Sequence, residues 1–271
     1  MSERLPLLVQ PEELAARLGE PGLRVIDLSP GDIFRQQHVP GSVHLPYGEI
    51  VASRPPVGGL LPEQDLLERV LRSAGIDSDA RIVALDAEGG GAAGRLMWTL
   101  EIYGFDNVSL LDGGLQAWVN EGFPTETGAP ASVPDSDLTL DEPQDHIADA
   151  RFIMERLDHE NFLTLDARSP EEYAGTAVRA ARGGHIPGAV HYEWTRAMDR
   201  SRNLRLRPAD ELRDELARLG ITPEREVAVY CHTHHRSALS YAMLRILGFE
   251  RVHGYPGSWS DWGNRDDTPV E

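Results

Sequence analysis

A tandem α/β fold, two domains of one ancestry each with a mainly parallel sheet flanked by helices, is predicted for this 271-residue chain by three observations. First, His38-Val39-Pro40-Gly41-Ser42-Val43-His44 returns as His185-Ile186-Pro187-Gly188-Ala189-Val190-His191, an offset of 147 residues. Second, Gly104-Phe105-Asp106-Asn107-Val108 returns as Gly248-Phe249-Glu250-Arg251-Val252, and Gly113 with Trp118 returns as Gly257 with Trp262, at an offset of 144. The change of offset calls for small insertions, which loops accommodate. Third, short apolar and β-branched runs alternate with segments of helical periodicity in both halves, the pattern of parallel strands covered on both faces by helices.

The first copy opens with a strand at residues 23–28 that carries Asp27, and a short segment with Phe34 leads to the His38 block. Residues 62–74 space apolar side chains for a helix and stop at Gly75, a residue suited to the left-handed C-terminal position. A second buried strand, residues 81–85, runs into Gly89-Gly90-Gly91-Ala92-Ala93-Gly94. After the copy closes, residues 127–137 are rich in small residues, Pro and Asp and read as an interdomain linker. The expected division is therefore a domain at residues 1–127, a linker at 128–143 and a domain at 144–271. The second copy repeats the order: a strand at residues 162–167 carrying Asp166, Tyr173, the His185 block, a helix over residues 208–219 ending at Gly220, and a strand at residues 226–230.

A formal charge of −18 argues against nucleic acid or an anionic membrane surface as partner, since both need a basic face. No stretch approaches the roughly 18 apolar residues of a membrane span, and the N-terminal apolar run is too short for a signal peptide. Cys231 is the single cysteine, so neither an internal disulfide nor a Cys-rich zinc site can form. A cytoplasmic protein is expected.

Chemistry concentrates in Cys231-His232-Thr233-His234-His235-Arg236, placed between the strand at 226–230 and a helix that closes on Gly248. A strand–loop–helix unit sets Cys231 at the carboxyl edge of the sheet, where open α/β sheets bind ligands. Loop N–H groups and the helix N-terminus can converge on an anion, and the same field lowers a thiol pKa below its reference of about 8.5. A buried packing cysteine is the bland alternative, but it has no need of three imidazoles and an Arg. Zinc ligation by Cys231, His232, His234 and His235 is the other, although adjacent ligands in one tight loop rarely close a tetrahedron.

Two halves each carrying Asp then His-Ile/Val-Pro-Gly, with a final Cys loop ahead of Gly257-Ser258-Trp259 and Trp262-Gly263-Asn264, resemble a tandem-domain rhodanese over nearly the whole chain. The loop is similar to the Cys-x-Thr-His-His-Arg loop of a bacterial rhodanese subgroup, and Asp267-Thr268-Pro269-Val270 resembles that subgroup's C-terminus. The resemblance implies an inert N-terminal domain and a catalytic C-terminal one. It implies a thiosulfate sulfurtransferase in which Cys231 takes sulfur from thiosulfate, holds it as a persulfide and passes it to cyanide or a thiol. Residues His232, Thr233, His234, His235 and Arg236 would bind donor and persulfide; Asp166, Arg168, Glu193 and Trp194 would lie nearby. No metal and no organic cofactor are implied, and a monomer is expected.

The loop is neither the basic Cys-Arg-Lys-Gly type associated with thiosulfate nor the Cys-Gly-Ser-Gly type associated with 3-mercaptopyruvate, so a 3-mercaptopyruvate sulfurtransferase is the alternative. A cysteine phosphatase would need Cys-x5-Arg, whereas Cys231 to Arg236 is Cys-x4-Arg, a tighter ring suited to one sulfur. The Gly89 to Gly94 run satisfies G-x-G-x-x-G, yet it stands where the second copy has its Cys loop, with Asp86 or Ala87 opposite the cysteine. A copy that lost its nucleophile explains those glycines without a nucleotide. A non-catalytic binding module would suit the first half but not the second. Three imidazoles in the loop also predict turnover that responds to pH near 6 to 7.

Overall fold

The computed structural model describes residues 4–143 and 145–271. Residues 1–3, the start of the N-terminal run weighed as a leader, and Gln144, the expected first residue of the second domain, lie outside the described residues. The chain divides into two compact units: unit 1 is Met1–Ile50, Leu61–Pro143 and Asp199–Leu206, and unit 2 is Val51–Leu60, Gln144–Met198 and Arg207–Glu271. Each unit thus contains one short segment taken from the other half of the sequence.

The first half runs β1 (Leu8–Val9), α1 (Pro11–Ala15), β2 (Leu23–Asp27), α2 (Gly31–Gln36), β3 (Val43–His44), β4 (Ala52–Arg54), β5 (Val57–Leu60), α3 (Gln64–Ser73), β6 (Arg81–Leu85), α4 (Gly91–Ile102), β7 (Val108–Leu111) and α5 (Gly114–Asn120). Unit 1 is a five-stranded parallel sheet in the order β1-β7-β6-β2-β3. Every residue of β6 is buried, as its central place between two parallel neighbours requires. Helix α3 buries Leu67 and Leu71, one turn apart on a single face, while α4 is buried almost all round and is correspondingly apolar. Beyond α5, residues 138–140 run along α3, with Leu138 and Leu140 buried and the Leu140 carbonyl accepting from Gln64 Nε2 at 2.7 Å.

The second half runs α6 (Ala150–Met154), β8 (Phe162–Asp166), α7 (Pro170–Tyr173), β9 (Val190–His191), β10 (Met198–Asp199), β11 (Arg205–Leu206), α8 (Ala209–Arg218), β12 (Glu226–Tyr230), α9 (Arg236–Ile246), β13 (Val252–Gly254) and α10 (Ser258–Trp262). Unit 2 has the parallel order β13-β12-β8-β9, with Tyr230 of β12 beside Asp166 of β8. Ile147 bridges to Gly254 at the β13 edge, taking the place that β1 has against β7 in unit 1. Ile153, Phe162, Ile186, Tyr230, Tyr255, Trp259 and Trp262 form the core on one face of this sheet. Burying an aliphatic or Phe side chain of this kind stabilises by roughly 1.5–3 kcal/mol.

The repeated His blocks have the same architectural use in both units. His38 Nδ1 donates to the Phe34 carbonyl at 2.8 Å and stacks on that ring at 3.9 Å; His185 Nδ1 donates to the Tyr173 carbonyl at 2.9 Å and stacks at 3.7 Å. The block is a clamp that fixes the chain after the short helix, which is why aromatic and His recur together. The exchanged segments are equally specific. In unit 1, Leu206 N–H donates to Asp112 Oδ1 at 2.8 Å and Arg205 Nε to Glu121 Oε1 at 2.9 Å. Among the described residues no helix is long and apolar enough to cross a membrane.

Candidate active site

Strand β12 ends at Tyr230, so Cys231 stands at the carboxyl edge of the sheet, and the loop of residues 231–235 feeds α9 at Arg236. The thiol is almost fully buried, at 1% exposure. Burial pushes its pKa up, but the Arg236 charge, the Ser237 hydroxyl and the Ser237 and Thr233 N–H groups outweigh that, and the thiol is held below its ordinary value. Donors converging on one sulfur are what stabilise a thiolate here.

Segment 257–260 holds the loop from behind. Ser258 Oγ accepts from Cys231 N–H at 3.2 Å and His234 N–H at 3.1 Å, and itself donates to the Tyr255 carbonyl at 2.7 Å. Trp259 N–H donates to the Cys231 carbonyl at 3.1 Å and Ser260 N–H to the His232 carbonyl at 3.0 Å. The first three residues of α10 therefore fix the loop's peptide planes.

Arg236 is tied down on its outer side. Its guanidinium makes a bidentate pair with Glu172, Nη1 to Oε2 at 2.5 Å and Nη2 to Oε1 at 3.0 Å, and Arg179 Nε lies 3.4 Å from the same carboxylate. Burial alone would raise the Glu172 pKa, but Arg236 prevails and lowers it to about 2. Glu172 is delivered by the capping box of α7, where Ser169 Oγ accepts from Glu172 N–H and the Glu172 carboxylate accepts from Ser169 N–H.

The loop histidines differ from one another. His234 is fully buried, with Nδ1 2.8 Å from Ser237 Oγ. His232 is half-buried, and burial pushes its pKa below the ordinary imidazole value. His235 faces Trp194, the ring centres 6.4 Å apart. Glu193 stands at the N-cap position of the short 3-10 turn that carries Trp194.

Asp166 and Arg168 sit behind the loop. They form a buried ion pair with Nη2 to Oδ2 at 2.6 Å, and Arg168 also donates to the Gly184 carbonyl at 2.8 Å and packs over the Trp259 ring at 4.4 Å. This pair supports the floor on which the loop rests. Four groups that shape the site went unassigned from the sequence: Glu172, Ser237, Ser258 and the hairpin β4–β5. Only Ser258 carried a signal, as the Ser of Gly257-Ser258-Trp259. Among the described residues no group of three or more His, Cys, Asp and Glu is placed to hold a metal ion.

Unit 1 contains the same loop with a different occupant. Leu115 N–H donates to the Asp86 carbonyl at 2.8 Å, as Trp259 N–H does to that of Cys231, so Asp86 rather than Ala87 matches the cysteine. Asp86 Oδ1 accepts from the N–H groups of Glu88 at 2.9 Å, Gly89 at 3.0 Å and Gly90 at 2.8 Å, and Oδ2 from Ala93 N–H at 2.9 Å. The glycine-rich run is thus an anion cradle already filled by a carboxylate of the chain itself.

A family model described as a rhodanese-like domain matches residues 10–121 and 145–265. The chain is 44% identical to the thiosulfate sulfurtransferase of Azotobacter vinelandii, over 98% of this chain and 97% of that one, and 43% identical to that of Pseudomonas aeruginosa over the same shares. It is 27% identical to the 3-mercaptopyruvate sulfurtransferase of Escherichia coli K12 over 95% of each chain. The solved structure of YnjE superposes with a TM-score of 0.86 at 23% identity, covering 97% of this chain and 68% of that one, a likeness of fold.

Proposed function

The chain belongs to the rhodanese family, and from that premise we propose that it is a thiosulfate sulfurtransferase working through a persulfide on Cys231. The observation that carries the reading is the buried Cys231 sulfur, held below its ordinary pKa by Arg236 and by donors from Ser237 and Thr233. The Cys231 thiolate attacks the outer sulfur of thiosulfate; the bond from that sulfur to the sulfonate sulfur breaks and its electron pair leaves on sulfite. The persulfide anion that remains carries the same single charge as the thiolate, so the same donors serve both states. Cyanide or a thiolate then attacks the terminal sulfur and the Cys231 thiolate is regenerated. Dividing the transfer in two lets donor and acceptor use one small site in turn.

Arg236 supplies the positive charge closest to the sulfur, and its pairing with Glu172 fixes where that charge points. Arg179, exposed beside Glu172, adds a cation on that side, which offsets for an anionic donor the strongly negative charge of the whole chain. The relatives at 43–44% identity favour thiosulfate over 3-mercaptopyruvate as donor. A monomer in the reducing cytoplasm suits a lone nucleophilic thiol and belongs to the same proposal.

Intact mass after brief exposure to thiosulfate tests it. One added sulfur that cyanide removes, absent from Cys231→Ala, is the expected result. No gain with thiosulfate overturns that donor, and a gain with 3-mercaptopyruvate instead would assign the other.

A further inference from the structure

Unit 2 includes a hairpin that the reaction above leaves unused. Strands β4 and β5, joined at Pro55-Pro56, come from the half of the sequence that has no nucleophile, yet they pack on the loop that does. Gly58 N–H donates to Ser260 Oγ at 3.0 Å, and the Ser260 N–H donates to the His232 carbonyl at 3.0 Å, so one serine joins hairpin and loop. Next to it Gly59 is buried, with φ of +72° and its backbone flush against the Thr233 peptide. A Cβ there would stand 2.0 Å from the Thr233 carbonyl oxygen and 2.6 Å from its carbonyl carbon.

Thr233 bears on the sulfur through both of its peptide bonds. Thr233 N–H is one of the donors to Cys231, and the Thr233 carbonyl belongs to the peptide whose N–H, on His234, is held by Ser258 Oγ. A backbone pressed against the carbonyl leaves the Thr233–His234 peptide one orientation. We propose that Gly59 is a positioning residue for sulfur transfer: through backbone contact with Thr233 it fixes the loop N–H groups around Cys231, and the β4–β5 hairpin is part of the catalytic apparatus. The effect on sulfur transfer rests on the function proposed above, whereas the effect on the thiol does not.

The experiment uses the full chain and two readouts: the pH dependence of Cys231 alkylation by iodoacetamide, which needs no sulfur donor, and the rate of persulfide formation from thiosulfate by mass. Gly59→Ala is expected to move the alkylation midpoint upward and to slow persulfide formation by at least about tenfold, since displacing preorganised donors costs less than the roughly 100-fold of losing one outright. Gly41→Ala is the control, since Gly41 has the same φ of +72° but nothing within 4 Å of a Cβ. It is expected to match the parent in both readouts. Gly58→Ala gives a graded version, because a Cβ there meets Thr233 Cγ2 at 3.1 Å; Thr233→Ser removes that methyl and is expected to restore a wild-type midpoint.

A folded Gly59→Ala protein with parental midpoint and rate overturns the proposal, as does an equal change in Gly41→Ala, which would trace the effect to backbone strain alone. If Gly59→Ala does not fold, Gly58→Ala decides: a midpoint that does not move, or one that Thr233→Ser fails to restore, overturns it equally. A shifted midpoint with no persulfide in any protein, the parent included, would sink the thiosulfate reading and leave the positioning role standing.

Discussion

Replacing Glu172 by Gln removes one charge from the pair that orients Arg236 and keeps the shape of the side chain. Glu172 is 3% exposed and has its pKa brought from 4.5 to about 2 in the folded chain. A folded pKa below the unfolded one contributes stability that is complete above the unfolded value and is lost as pH falls through the folded one. A displacement of about 2.5 pH units is worth about 3 kcal/mol at pH 7, and integrating the same titration leaves about 1.5 kcal/mol at pH 3. Glu172→Gln should therefore be less stable than the parent by about 3 kcal/mol at pH 7, with the gap halved at pH 3. Urea unfolding at a series of pH values, followed in the transition that includes unit 2, measures it. A gap that stays constant within about 0.5 kcal/mol from pH 7 to pH 3 would refute the electrostatic reasoning and assign the loss to packing alone.

Two further substitutions probe the loop in each unit. Ser258→Ala leaves the Cys231 and His234 N–H groups without their acceptor; it should cost about 1–3 kcal/mol in urea unfolding and slow persulfide formation, and an unaltered rate would separate that serine from the chemistry. Asp86→Ala empties the cradle of unit 1, where four N–H groups share one carboxylate. It should lower stability by at least about 2 kcal/mol and leave the pH profile of Cys231 alkylation unchanged, and a shifted profile would contradict the inert reading of that loop.

Much of this was legible from residues alone, for identifiable reasons. The duplication shows in the His-Pro-Gly blocks because the clamp of His38 on Phe34, and of His185 on Tyr173, needs the same residue types at the same spacing. The strand–loop–helix at Cys231 shows because a buried strand, a polar loop and a Gly-terminated helix are local patterns. Glu172 was hidden in plain chemistry: Ser169-x-x-Glu172 is a capping box, and nothing in the sequence says that the carboxylate also holds Arg236, 64 residues on. His232 departs from a reference imidazole because that reference presumes solvent, and the loop half-buries the ring. The hairpin was illegible for a deeper reason, since strand pattern and turn residues announce that a hairpin forms but not which sheet or loop it will rest on.

The exchange of segments Val51–Leu60 and Asp199–Leu206 has an evolutionary reading. After a gene duplication, an inert copy is ordinarily dispensable and open to deletion. Here a chain pruned to its second half would keep the nucleophile and lose the glycines that rest against Thr233, while a chain pruned to its first half would lose the partner of Asp112. Each copy thus carries a segment that the other unit uses, and under the proposed positioning role loss of the first half would also disarm Cys231.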